Sequence, residues 1–302
     1  MQRRDVLLTA MATGMMASAA SAASVSPERK GARRETKVRT PDGVELFCRD
    51  WGTGPAVVFT HSWALTSAIW NYQVQFLSNH GIRCVTYDRR GHGRSDAPAE
   101  GHDLDTLADD LGAVIDSLEQ RKVVLVGHSM GGNEIIRYVG RHGTGKVAKI
   151  ALLAPTTPYI LQTPDNPYGA PAAYFEHTRA QWETDFPKWV QDNKAAFFTP
   201  ETSPPMMDWI VTLMLQMHIP TAIACSRAVG ETDLRPDLEK INRPVLILHG
   251  DRDVSAPLEI TGRRTAAGIH GATLKVYPGA PHGLFLTHMA QVNQDLLEFV
   301  SI

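Results

Sequence analysis

The chain has 302 residues, 43% of them hydrophobic and 21% charged, with 30 Lys+Arg against 32 Asp+Glu. That balance excludes intrinsic disorder, collagen-like repeats and a disulfide-built scaffold. A formal net charge of -2, with basic residues interleaved among acids and apolar side chains, argues against nucleic acid as a partner. Cys48, Cys84 and Cys225 are too few and too far apart for a metal knuckle, and Cys84 sits in an apolar run as a small hydrophobe.

The N-terminus reads as an export signal. Met1-Gln2-Arg3-Arg4-Asp5 leads into an apolar stretch from Val6 that ends in the small-residue run 17–23, and the paired Arg3-Arg4 resembles a bacterial twin-arginine signal. Residues 1–22 are expected to be removed on the way to the periplasm or the medium. The stretch is short and interrupted by Thr9, Thr13, Gly14 and Ser18, and no later segment approaches the ~20 apolar residues of a membrane span. No stable span is therefore expected after processing.

After a polar leader, Ser24–Glu35, one domain is expected over 36–302. Short β-rich runs at Val44–Cys48, Ala56–Thr60, Arg83–Tyr87, Val123–Val126, Val147–Leu153, Val245–Leu248 and Ala272–Tyr277 alternate with helix-period segments. The pattern predicts an α/β fold, a mostly parallel eight-stranded sheet with helices on both faces. Asp103 is a predicted N-cap for a helix whose stripe is Leu104, Leu107, Leu111, Val114, Ile115 and Leu118. Val292, Leu296 and Phe299 mark a C-terminal helix.

The alternation breaks over about 156–235, where prolines are frequent, β runs are absent and Trp, Phe, Tyr and Met concentrate. This segment reads as a helical cap inserted beyond the end of a strand, with Trp209 and Met214 as candidates for a substrate pocket.

The chemistry lies elsewhere. The segment 123–138 is a strand, the turn Gly127-His128-Ser129-Met130-Gly131 and then a helix, a G-x-S-x-G elbow. The turn exposes the Ser129 hydroxyl and sets the Met130 N–H at a helix start, where it can face an oxyanion; a Cβ at 127 or 131 would collide with neighbouring elements. A serine needs a base, and the base needs an acid to hold its tautomer. The base is His282, flanked by Pro281 and Gly283 after the last strand. For the acid, Asp251 and Asp253 both follow the strand ending at Leu248; Asp251 is nearer the strand and suits a turn-stabilising role, which favours Asp253. The second oxyanion donor is expected in the loop 59–65, at the Trp63 N–H. His61, just before it, reads as a loop-bracing residue and is kept as a further pocket candidate. The charged turn Asp88–Asp96 lacks the G-K-S/T of a phosphate loop and reads as structural. No cofactor and no metal are expected.

These segments resemble the α/β-hydrolases that contain bacterial aryl esterases and cofactor-free, non-haem chloroperoxidases. The resemblance rests on Arg49-Asp50-Trp51-Gly52, YDRRGHGRSD at 87–96, GHSMGG at 127–132, RYVGRHG at 137–143, ILHGDRD at 247–253 and YPGAPHGL at 277–284. It implies Ser129 as nucleophile, Asp253 as acid, His282 as base and oxyanion donors at Trp63 and Met130. The chain departs from the family pattern at Ser62, usually Gly, and at Ala64, Pro in many peroxidase-named members.

The leading expectation is a secreted hydrolase of small carboxylic esters or lactones acting through an acyl-enzyme. The alternatives are perhydrolysis with secondary halide oxidation at the same triad, a non-catalytic small-molecule receptor on the same fold, and, more distantly, a cofactor-free dioxygenase using His61. A serine at the elbow argues against aspartate-nucleophile chemistry.

Overall fold

The computed structural model describes residues 34–301; the expected signal, residues 1–22, lies outside them. Eight strands form one sheet: β1 (Arg34–Arg39), β2 (Glu45–Trp51), β3 (Ala56–Thr60), β4 (Arg83–Tyr87), β5 (Val123–His128), β6 (Val147–Leu153), β7 (Val245–Gly250) and β8 (Thr273–Tyr277). The spatial order is β1-β2-β4-β3-β5-β6-β7-β8. Pairing is antiparallel for β1–β2 and β2–β4 and parallel from β4 to β8. The helices are α1 (Asn71–Asn79), α2 (Leu104–Asp116), α3 (Met130–His142), α4 (Ala172–Asn193), α5 (Pro204–Met214), α6 (Ile219–Glu231), α7 (Arg235–Leu238), α8 (Gly262–Gly268), α9 (Leu284–Thr287) and α10 (Met289–Val300).

The continuous apolar runs of β3, β5 and β7 follow from burial on both faces. In β5, Val123 and Leu125 join one core with Leu107 and Leu111 of α2 and Ile135 of α3, while Val124 and Val126 join the other with Leu77 of α1 and Leu296 of α10. The period-two alternation of a strand thus divides each run between two helical layers. Helix α2 starts where its sequence predicts, with the Asp103 carboxylate accepting the Thr106 N–H at 2.9 Å.

Two boundaries differ from expectation. β1 begins at Arg34, inside the stretch read as a polar leader, and has no counterpart among the predicted runs. It is an edge strand that pairs on one side only, with Thr36, Lys37 and Arg39 exposed, so it carries no apolar signal. β2 starts at Glu45 and continues past Cys48 through Asp50, whose carboxylate accepts two bonds from Arg83 of β4 at 2.9 and 2.7 Å.

Between β6 and β7 the chain leaves the sheet and builds α4, α5 and α6. α4 is bent where Asp185 departs from helical geometry (φ -157°, ψ 78°) just before Pro187. A proline inside a helix lacks the N–H and crowds the preceding turn. The Asp185 carboxylate accepts the Lys188 N–H at 3.0 Å and so caps the second half. Among the described residues no single helix is long and apolar enough to cross a membrane, and the apolar pair α5 and α6 is bent by 93°.

Candidate active site

Ser129 follows the last residue of β5 and precedes the first of α3, with φ 54° and ψ -121°. A non-glycine residue pays for a positive φ, and here the surroundings enforce it. The Ser129 N–H bonds the Leu153 carbonyl of β6 at 3.0 Å, and its own carbonyl accepts from Gly132 at 2.8 Å. A Cβ on Gly131 would stand 2.5 Å from the Thr60 carbonyl oxygen, and one on Gly127 would stand 2.7 Å from the Gly131 backbone. Both glycines are therefore required by β3 and α3 packing against the turn, as the sequence predicts.

Asp253 lies three residues beyond β7 and His282 five beyond β8, so both reach the edge of the sheet where Ser129 sits. His282 Nδ1 is 2.7 Å from Asp253 Oδ2. A carboxylate only accepts, so the proton is on Nδ1 and Nε2 is left as the free base. Asp253 Oδ1 accepts the N–H groups of Ser255 and Ala256 at 2.9 and 2.8 Å. Burial works against its charge, yet the neighbouring His282 and His249, with the Ala256 N–H, hold the carboxyl well below the usual range. Asp251 is turned elsewhere: its carboxylate accepts the Gly279 N–H at 2.7 Å and braces the turn after β8. Ser129 and His282 line the same cavity, with no hydrogen bond between the hydroxyl and the ring.

The loop after β3 carries Trp63. Among the described residues no protein acceptor takes the Trp63 or Met130 backbone N–H, and both residues line the cavity that holds Ser129 and His282. Ala64 has φ 54°, a value closed to proline, whose ring fixes φ near about -65°. The chain's departure at this position is thus built into the loop's course.

That cavity has a volume of about 420 Å³. Its aromatic wall is assembled across the cap: Trp63 stacks on Trp182 at 4.4 Å, and Trp189 meets Trp63 edge-on at 5.9 Å. The Trp63 indole N–H donates to the Ala222 carbonyl of α6 at 2.9 Å, which locks the wall to the cap. Met214 also lines the cavity.

Two expected pocket residues are elsewhere. Trp209 packs against the sheet-side core and meets Tyr72 edge-on at 6.1 Å, because the α5 face it shares with Met206 and Leu213 turns inward. His61 is fully buried behind the loop. Its Nε2 accepts the Arg89 N–H at 2.9 Å and its Nδ1 bonds the Ser62 carbonyl at 2.8 Å, so both nitrogens are engaged and neither faces the cavity. Burial and then the Arg89 charge push its pKa well down. This position also removes the geometric basis of a dioxygenase reading. The turn after β4 is a scaffold: Arg89 pairs with Glu134 of α3 at 2.7 Å with both side chains buried, and Arg90 pairs with Asp110 of α2 at 2.6 Å.

The cavity residues Trp182, Trp189 and Val190 on α4 were not singled out as pocket candidates, although they stand at i, i+7 and i+8, with Phe186 packed against Trp182 and Trp189 beside them. Also missed were His128 and His249, buried beside the Asp253–His282 pair.

A family model described as the alpha/beta hydrolase family matches residues 57–295. A non-heme chloroperoxidase from Kitasatospora aureofaciens is 38% identical over 269 residues, covering 87% of this chain and 98% of the relative. A bifunctional esterase/perhydrolase from Acinetobacter calcoaceticus is 37% identical over 275 residues, with the same coverage of 87% and 98%. Among solved structures, an esterase from Exiguobacterium antarcticum superimposes with a TM-score of 0.86 at 31% identity, covering 89% of this chain and all of that one.

Proposed function

The chain belongs to the alpha/beta hydrolase family, and on that premise we propose that it is a secreted serine hydrolase that cleaves small carboxylic esters or lactones through an acyl-enzyme. The observation that carries the reading is the hydrogen-bonded Asp253–His282 pair together with a strained Ser129, with Ser129 and His282 lining one aromatic-walled cavity. Ser129 Oγ attacks the carbonyl carbon while His282 Nε2 takes its proton. The carbonyl oxygen gathers charge facing the Trp63 and Met130 N–H groups, the latter at a helix N-terminus. Collapse expels the alcohol, which takes the proton back from His282. Water then attacks the acyl carbon by the same route and frees the acid. Asp253 holds the His282 tautomer and stabilises the imidazolium.

A second reading is favoured by the relatives being a chloroperoxidase and an esterase/perhydrolase: hydrogen peroxide replaces water at the acyl-enzyme, releases a peracid, and the peracid oxidises halide in solution. Export through the twin-arginine signal completes the proposal and rests on residues 1–22 alone. The test is turnover of p-nitrophenyl esters by wild type and Ser129→Ala, with and without peroxide. Loss of about 10⁴ to 10⁶ in kcat on removing the serine is expected, with folding unchanged. A folded Ser129→Ala protein with near wild-type turnover contradicts the reading, and peracid yield with peroxide decides between the two acyl acceptors.

A further inference from the structure

The mechanism above leaves a fully buried imidazole beside its acid unused. His249 is near the end of β7, four residues before Asp253. Its Nε2 is 2.8 Å from the Ala256 carbonyl oxygen and 3.3 Å from Asp253 Oδ2. A carbonyl cannot donate, so the proton is on Nε2 and is directed at the Ala256 carbonyl, with the Asp253 carboxylate oxygen 3.3 Å from the same nitrogen. Its Nδ1 is buried without a partner and lies against Gly262 of α8, where a Cβ would collide with it. With Nδ1 unpartnered, Nε2 is the only ring nitrogen through which His249 is hydrogen-bonded. One N–H therefore pins the turn, residues 253–256, that presents Asp253, and sets a positive dipole against its Oδ2.

We infer that His249 is a positioning residue for the Asp253–His282 pair, fixing through its Nε2–H the carboxylate oxygen that receives the His282 proton. Asp253 Oδ1 is filled by the Ser255 and Ala256 N–H groups. Without His249, Oδ2 keeps only the bond from His282, and rotation of the carboxylate about its Cβ–Cγ bond has less to resist it. His128 is the counterpart on the other side: its Nε2 bonds the His282 carbonyl oxygen at 2.9 Å, so the main chain of His282 is held as well as its acid partner. The inference rests on the proposed roles of Ser129, Asp253 and His282.

Three substitutions test it, because Gln places an amide N–H near Nε2, Asn places one near Nδ1 and Leu places none. His249→Leu and His249→Asn are expected to lower kcat by about ten- to a hundredfold, the loss of one hydrogen bond to a charged group, with KM within about twofold. His249→Gln is expected to recover most of that loss. The downfield proton resonance of the His282 Nδ1–H should shift in the Leu and Asn variants and return towards the wild-type position in Gln. Equal kcat for the Gln and Asn variants overturns the inference, and that comparison stands even where the Leu variant does not fold. A folded Leu variant with wild-type kcat overturns it too. Ser129→Ala in the same assay separates the two levels. If it stays active, the serine-hydrolase reading has failed; if it is inactive while all His249 variants are unaffected, only the positioning role has failed.

Discussion

The edge of the sheet and the cap above it bound the same cavity but are specified in different ways. At the edge, backbone sterics dictates position: Ser129 takes φ 54° because β6 holds its N–H, and Gly131 is excluded from having a Cβ by the Thr60 carbonyl. In the cap, position comes from side-chain packing, where Trp63, Trp182, Phe186 and Trp189 interlock across elements distant in sequence. A site built on backbone geometry tolerates little change and keeps its chemistry; a pocket built on packing can be altered residue by residue and sets which substrate reaches that chemistry.

The sharpest separation is between two acids in one loop. Asp253→Asn should lower kcat by up to about 10⁴, because the His282 ring is left in the wrong tautomer. Asp251→Asn only replaces the charged acceptor of the Gly279 N–H by a neutral one, and its effect should appear as a modestly lowered thermal midpoint with kcat nearly unchanged. The opposite ranking of the two kcat values would reassign the acid.

Gly131→Ala is the next largest. Its new methyl group meets the carbonyl oxygen of Thr60, an atom that cannot turn aside as a side chain can. A cost of about 1–3 kcal/mol in unfolding free energy is expected, accompanied by lost turnover as the elbow shifts. Wild-type stability and activity together would show that the turn is less constrained than its contacts imply.

The smallest effects are expected in the cap, and they distinguish its two faces. Trp182→Ala enlarges the cavity and should shift kcat/KM towards bulkier acyl groups by about tenfold, within the ~1–3 kcal/mol that pocket contacts supply. Trp209→Ala removes packing against the sheet-side core and should lower stability while leaving the acyl-length ratios unchanged. Ratios that respond to Trp209 and not to Trp182 would place the pocket on the other side of α5.

This contrast explains which parts could be read in the sequence. Strands buried on both faces announce themselves as apolar runs, and the elbow by glycines with a steric purpose, so β3 to β7 and the placement of Ser129, Asp253 and His282 after β5, β7 and β8 follow from residues alone. β1 did not, because an edge strand needs only its backbone to pair. The cap misled because composition was read without direction. Of the three methionines and one tryptophan on α5, all pack against the sheet-side core and only Met214 also reaches the cavity. The α4 stripe at Trp182, Trp189 and Val190 had the correct period, but a kink at Asp185 and the absence of a partner in sequence hide which side it covers. His61 and His249 show the same limit, since two buried histidines near catalytic loops differ only in what their nitrogens touch.

The central claim is that Ser129 becomes acylated. Rapid mixing with a p-nitrophenyl ester, quenching in acid and measuring intact mass tests it directly. The account predicts a burst of p-nitrophenol approaching one equivalent where deacylation limits turnover, and a mass increase equal to the acyl group, located on the peptide containing Ser129 and absent in Ser129→Ala. An acyl adduct on another residue, or turnover of wild type with no Ser129-dependent adduct under conditions where deacylation is slowed, would contradict it.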